Sequence, residues 1–211
     1  GRVLLLVWNE EVLKLPTFMG LADAGFMVCS LVFRASNPTV EQLFETYQAT
    51  RDFVPEVVVA VGGGSILDVG KSLCCLYGTD LPDADSLRRL IEEKSYGHPA
   101  ARWIGVPTTA GTGSEVTCWA TIWDPERDAK RSVACRENYA FAALVDPGLA
   151  AGMPVTLAVS SALDAASHAV DSYCAKGTNA VSRGLALEAI RTIMGHMDGL
   201  LAGTMEAHEA M

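Results

Sequence analysis

Over the first hundred residues, short apolar runs alternate with amphipathic stretches. Residues 3–8 hold no charged or strongly polar position, as expected of a strand buried on both faces. Residues 10–24 follow as a helix ending at Gly25, with Pro16 set to interrupt or kink it. Residues 26–33 form a second strand, and Asn37-Pro38 makes a turn. Thr39 with Gln42 three residues on forms a capping box for a helix running to about residue 53. Residues 57–61 give a third buried strand, and residues 65–76 a helix behind a run of glycines. Residues 83–94 read as an exposed, charged helix and 103–106 as another short strand.

This strand–helix alternation predicts an α/β fold built on a parallel sheet with crossover helices. The pattern then changes. Residues 116–123 and 131–136 read as strands around a charged turn at 124–130, and residues 143–145 as a last short strand. From Pro154 onward no strand pattern remains, and residues 157–175 and 182–201 read as helices. The expected organisation is an α/β domain over residues 1–150 and the start of an all-helical domain over residues 151–211. The sequence contains no internal repeat and no low-complexity tract.

Half of the residues are hydrophobic, which excludes a disordered chain. A net charge of −9 argues against nucleic acid as a partner, because phosphate backbones are bound by basic faces. It leaves a nucleotide cofactor possible, since backbone amides at a helix start can hold one. The longest apolar runs are too short for a membrane span, and no secretion leader opens the sequence. Six cysteines form no C-x-x-C pair and read as free thiols in a reducing cytoplasm.

Two segments carry candidate chemistry. Gly62-Gly63-Gly64-Ser65 leaves a β-branched strand and opens a helix, with Asp68 in its first turn and Lys71 one turn on. Glycines there admit a pyrophosphate close to the backbone. A tight turn capped by Ser65 is the alternative reading, because the spacing is not G-x-G-x-x-G. Residues 106–117 read Val-Pro-Thr-Thr-Ala-Gly-Thr-Gly-Ser-Glu-Val-Thr and follow another strand of the same sheet. Both segments then fall at the edge where open α/β sheets bind ligands.

Together, G-G-G-S-x-x-D-x-x-K and P-T-T-A-G-T-G-S-E-V-T resemble the iron-containing (group III) alcohol dehydrogenase family, over nearly the whole chain. The resemblance implies a Rossmann-like domain binding NAD or NADP, a helical metal-binding domain, and the general architecture shared with dehydroquinate synthase. It implies that Gly63, Gly64 and Ser65 hold the pyrophosphate, and that Asp68, Thr108, Thr109, Thr117 and Lys130 line the rest of the cofactor site. The stretch after the second strand has no acidic residue for a ribose 2′-hydroxyl, and Arg34 there leaves NADP open.

Asp164 and His168 are four apart on an expected helix and so share a face. Carboxylate plus imidazole suits Fe(II) or Zn(II), although a helix-stabilising contact has the same spacing. The surrounding L-D-A-A-S-H-A-V-D-S-Y resembles the family's metal helix, which implies that both are ligands. Asp171 stands where the family usually has Glu, and Ala162 where it has Gly. His196 and His208 match no family ligand motif and read as exposed polar residues; His98 lies in the other domain. Two ligands do not complete a catalytic site, so the chain is expected to be a fragment, short at both ends, with a natural truncation or completion by a second chain as the alternatives.

The implied reaction is hydride transfer between nicotinamide and a small alcohol or aldehyde, polarised by the metal. Residues 118–124 and 179–183 resemble the branch acting on phosphonoacetaldehyde, whose phosphonate Arg127, Lys130, Arg131 and Arg136 could hold, unless they simply form a solvated hairpin. A dehydroquinate synthase-like lyase and a non-catalytic nucleotide-binding remnant are the competing readings. A homodimer or higher oligomer is left open.

Overall fold

Residues 3–7 are apolar without a break because the strand they form has neighbours on both sides and cover on both faces. In the computed structural model, which describes residues 1–211, β1 (Arg2–Val7) pairs in parallel with β2 (Met27–Val32) and with β3 (Val57–Gly62). With β4 (Arg102–Pro107) and β7 (Ala142–Ala143) they form a five-stranded sheet in the order β2-β1-β3-β4-β7. Leu4, Leu6, Val58, Ala60 and Val61 have no exposed surface, whereas edge strand β2 is nowhere buried. Each buried Leu or Val here contributes roughly 1.5–3 kcal/mol relative to an exposed one.

The expected helix over residues 10–24 is two helices. Asn9 caps α1 (Glu10–Leu13), and α2 (Pro16–Asp23) begins afresh with Pro16 at its first position, where a missing N–H costs nothing. Thr39 and Gln42 form the capping box of α3 (Val40–Thr50), as their spacing predicts. Next, α4 (Gly64–Leu76) packs tightly on β3: a Cβ on Gly70 would stand 2.8 Å from that of Ala60. Gly70→Val is therefore expected to lower stability by about 2–3 kcal/mol through overpacking, read as a reduced urea midpoint at unchanged slope.

α5 (Ala84–Glu93) departs from the exposed helix expected, because Leu87, Ile91 and Arg88 are all buried. The antiparallel hairpin of β5 (Trp119–Asp124) and β6 (Ala129–Ala134) stands apart from the sheet. Its first strand starts three residues later than expected, because Ser114–Val116 forms a 3-10 turn. Alternation places Ala120, Ile122 and Asp124 inside and Trp119 and Trp123 outside. The fully buried Asp124 carboxylate accepts from Arg88 Nε at 3.0 Å and faces Arg131 Nε at 3.6 Å. Glu41, Asp85 and Glu126 complete the ring of carboxylates around the Arg88 guanidinium.

The chain divides into two compact units, residues 1–106 with 114–144 and residues 107–113 with 145–211. The second holds α6 (Pro147–Ala150), α7 (Val155–Cys174), α8 (Ala180–Ala202) and α9 (Met205–Ala210). Small residues Ala158 and Ala162 on α7 let it pack closely on Ile193 and Leu200 of α8. Gly203, at φ 68°, ends α8 and turns the chain back, so that His208 on α9 is buried rather than exposed as its sequence position predicts. No helix is long and apolar enough to cross a membrane. All six cysteines are free thiols.

Candidate functional site

β3 is the middle strand of the sheet and lies beside β1, where the order 2-1-3-4 changes direction. Ligands of such sheets bind outside the carboxyl ends of the strands at this switch point. β3 delivers Gly62, Gly63 and Gly64 there. Gly62 has to be glycine, since a Cβ would stand 2.5 Å from Ile66 Cγ1. Gly63 is the cap of α4: its carbonyl accepts from Ile66 and Leu67 amides at 3.0 and 3.2 Å, and no side chain caps the helix. The helix begins at Gly64, one residue earlier than expected, so Asp68 lies beyond the first turn rather than in it, and that turn carries no acidic residue.

Ser65 therefore does not cap the helix, contrary to the cap that the alternative reading gave this turn. Its Oγ accepts instead from the Asn37 amide at 3.1 Å, tying the loop after β2 to the glycine loop. Gly63, Gly64 and Ser65 are all half-buried, and so reachable. A helix start without a side-chain cap or a first-turn carboxylate suits an anion, so these residues fit a pyrophosphate.

The other residues expected in the cofactor site divide into two sets. Asp68 is taken up by its own chain: Oδ1 accepts from Ser114 Oγ at 2.6 Å and Oδ2 from the Thr121 amide at 2.8 Å. Burial pushes its carboxyl above the ordinary value, against the pull of those donors and of Lys71. Thr117 is half-buried on the turn that Lys71 holds, while Lys130 is exposed with Nζ 5.8 Å from the centre of the Trp123 ring. Thr108 and Thr109 belong to the second unit, in residues 107–113. There a Cβ on Gly111 would stand 2.9 Å from the Ser161 carbonyl oxygen, so this loop lies directly on α7.

Asp164 and His168 are on α7, both exposed, with Nε2 3.7 Å from Oδ1. They share a face one turn apart, as their spacing predicts, and offer one carboxylate and one imidazole. As hard and borderline donors they suit Fe(II) or Zn(II), as two ligands of a set. His196 Nδ1 lies 2.8 Å from the Thr192 carbonyl of its own helix. No group of three or more His, Cys, Asp or Glu side chains is placed to hold a metal.

Lys71 is the residue that sequence reasoning undervalued. It has no exposed surface and reaches Ser114, Thr117 and Trp119. A lysine three residues from an aspartate on an otherwise apolar helix was the available signal. Of the four cations that could hold a phosphonate, Arg127 and Arg131 both bind Glu92. Arg34, which leaves NADP open, pairs with both carboxylate oxygens of Glu10, the first residue of α1.

Comparisons with known proteins agree with this geometry. The family model described as iron-containing alcohol dehydrogenase matches residues 2–147. The chain is 30% identical over 191 residues to an NADPH-dependent butanol dehydrogenase of Clostridium saccharobutylicum, covering 90% of this chain and 49% of that protein. It is also 30% identical over 205 residues to an NAD-dependent methanol dehydrogenase of Bacillus methanolicus, covering 96% and 51%. Among solved structures, an iron-containing alcohol dehydrogenase from Thermotoga maritima superposes with a TM-score of 0.86 at 28% identity, covering all of this chain and 58% of that one. The chain spans about half the length of the curated relatives it matches. The matched motifs, the sheet order and the glycine-led helix start thus converge, and the chain belongs to the iron-containing alcohol dehydrogenase family.

Proposed function

We propose that this polypeptide supplies the nicotinamide-nucleotide site and two metal ligands of an alcohol dehydrogenase or aldehyde reductase. The observation that carries this reading is the uncapped, glycine-led start of α4 at the carboxyl end of the central strand. Gly63, Gly64 and Ser65 hold the pyrophosphate through backbone amides and the helix dipole. Thr117 and Lys130 supply polar contacts to the nucleotide, and Thr108 and Thr109 keep the cofactor role that the resemblance gives them. Asp68 keeps the cofactor role that the resemblance gives it, with its carboxylate held in place by Ser114 and the Thr121 amide. Asp164 and His168 would hold a divalent metal, Fe(II) or Zn(II), which when bound polarises the oxygen of a small alcohol or aldehyde. The nucleotide supplies the hydride chemistry, and these side chains position it.

Titration of the purified chain with NADH and with NADPH, followed by nicotinamide fluorescence, tests the reading. Saturable one-to-one binding of either nucleotide supports it, and absence of both removes it. Cofactor preference rests on Glu10, whose carboxylate both neutralises Arg34 and opposes a 2′-phosphate. Glu10→Gln is expected to improve NADPH binding several-fold while leaving NADH binding within about twofold. The engaged state of Arg127 and Arg131 supports a neutral small aldehyde over phosphonoacetaldehyde as substrate. A comparison of phosphonoacetaldehyde with propanal by the iron-loaded enzyme separates these, and a strong preference for the phosphonate would reverse the assignment.

A further inference from the structure

Lys71 lies wholly inside the first unit, yet the reading above gives its charge no task. Its ammonium is within hydrogen-bond reach of the Ser114 carbonyl at 2.8 Å, Ser114 Oγ at 2.9 Å, Thr117 Oγ1 at 3.2 Å and the Trp119 carbonyl at 2.6 Å. Asp68 Oδ1 is 3.6 Å away, and the Trp103 ring centre 5.3 Å. One cation thus pins both ends and the middle of residues 114–119.

An ammonium only donates, and this fixes the direction of every bond around it. Ser114 Oγ accepts from Lys71 and passes its own hydrogen to Asp68 at 2.6 Å. Thr117 Oγ1, the farthest of four acceptors that share three ammonium hydrogens, turns its lone pairs toward the cation, so its own hydrogen points elsewhere. Within the turn that hydrogen has only the Ser114 and Trp119 carbonyls, at 3.4 and 3.5 Å, and both already accept from Lys71 at much shorter range. A half-buried hydroxyl is thus left with its oxygen facing a cation and its donor side poorly served.

We propose that Lys71 is a positioning residue for nucleotide binding: it fixes the 114–119 turn and sets the Thr117 hydroxyl as a donor toward an oxygen of the cofactor. The proposal rests on the assignment of Thr117 to the nucleotide site. It differs from a purely structural clamp in one respect, namely that Lys71 and Thr117 then act as one unit in binding.

The test is a double-mutant cycle on the dissociation constant of NADH or NADPH, whichever the parent chain binds. Thr117→Val is expected to weaken binding roughly three- to tenfold, with Thr117→Ser restoring it. Lys71→Met is expected to weaken binding by a similar factor, and Thr117→Val added to it to change nothing further. If Lys71→Met does not fold, the cycle is run on Asp68→Asn with Lys71→Met, which removes both buried charges together. Independent, multiplying effects of the two sites would overturn the proposal, as would a neutral Thr117→Val in a chain that binds nucleotide. A parent chain that binds neither nucleotide would remove the cofactor reading itself, and this proposal with it.

Discussion

Gly64→Asp is expected to leave the protein at least as stable as the parent while removing most of its affinity for NADH and NADPH. Gly64 is the first residue of α4, a 13-residue helix whose opening turn holds no acidic side chain and no side-chain cap. A carboxylate there meets the positive end of the helix dipole and replaces a glycine, and is worth about 0.3–1 kcal/mol in favour of folding. The same carboxylate occupies the place proposed for the pyrophosphate. Like charges about 4 Å apart repel by about 1 kcal/mol in bulk water and about 4 kcal/mol near a protein surface, which corresponds to a loss of roughly fivefold to a thousandfold in binding. Thermal melting and nucleotide titration of the same preparation check both signs. A lower melting temperature with unchanged binding would mean that the loop is only a turn.

Asp124→Ala is expected to be the most destabilising single change in the first unit, by about 3 kcal/mol or more. Asp124 has no exposed surface, and its removal strands the Arg88 guanidinium, itself only 2% exposed. Three other carboxylates touch Arg88, but Glu41 is 39% exposed and Asp85 and Glu126 more so, and water already screens them. They soften the loss without replacing the buried partner. Arg88→Met combined with Asp124→Leu is expected to recover much of the stability, because a buried pair removed as a whole leaves no uncompensated charge. Urea unfolding of the single and double variants measures this. Equal losses from Asp124→Ala and from the double variant would show that the pair itself, rather than the stranded charge, carries the energy.

How far this molecule could be read from its sequence depended on the range of the interaction that decides each feature. β1 and β3 were plain because a strand covered on both faces needs an unbroken apolar run, which residues 3–7 and 57–61 supply. The capping box at Thr39 and Gln42 and the shared face of Asp164 and His168 were equally plain, being fixed by spacing within one turn. Pro16 signalled an interruption, and the chain answers it with a new helix. Arg88 and Asp124 were read as solvated charges, since nothing local tells that residues 36 apart will meet in the interior. His208 was misplaced for a similar reason, because its burial follows from the reversal at Gly203. The glycine loop was legible as a loop, but the only cap the sequence offered was Ser65. Only the backbone decided for Gly63. Asp68 was assigned to the nucleotide by likeness, and its bonds to Ser114 and Thr121 follow from contacts 46 and 53 residues away that no local pattern shows.

The most direct test of the account is to watch the amides at the start of α4 while nucleotide binds. In an amide-resolved NMR titration with NADH, and separately with ADP, the largest shifts are predicted at Gly63, Gly64 and Ser65, with smaller ones at Thr117 and Lys130. ADP should reproduce the loop shifts, since it carries the diphosphate without the nicotinamide. Shifts confined to other parts of the chain, or a glycine loop unmoved by saturating NADH, would contradict the assignment of this helix start as the phosphate site.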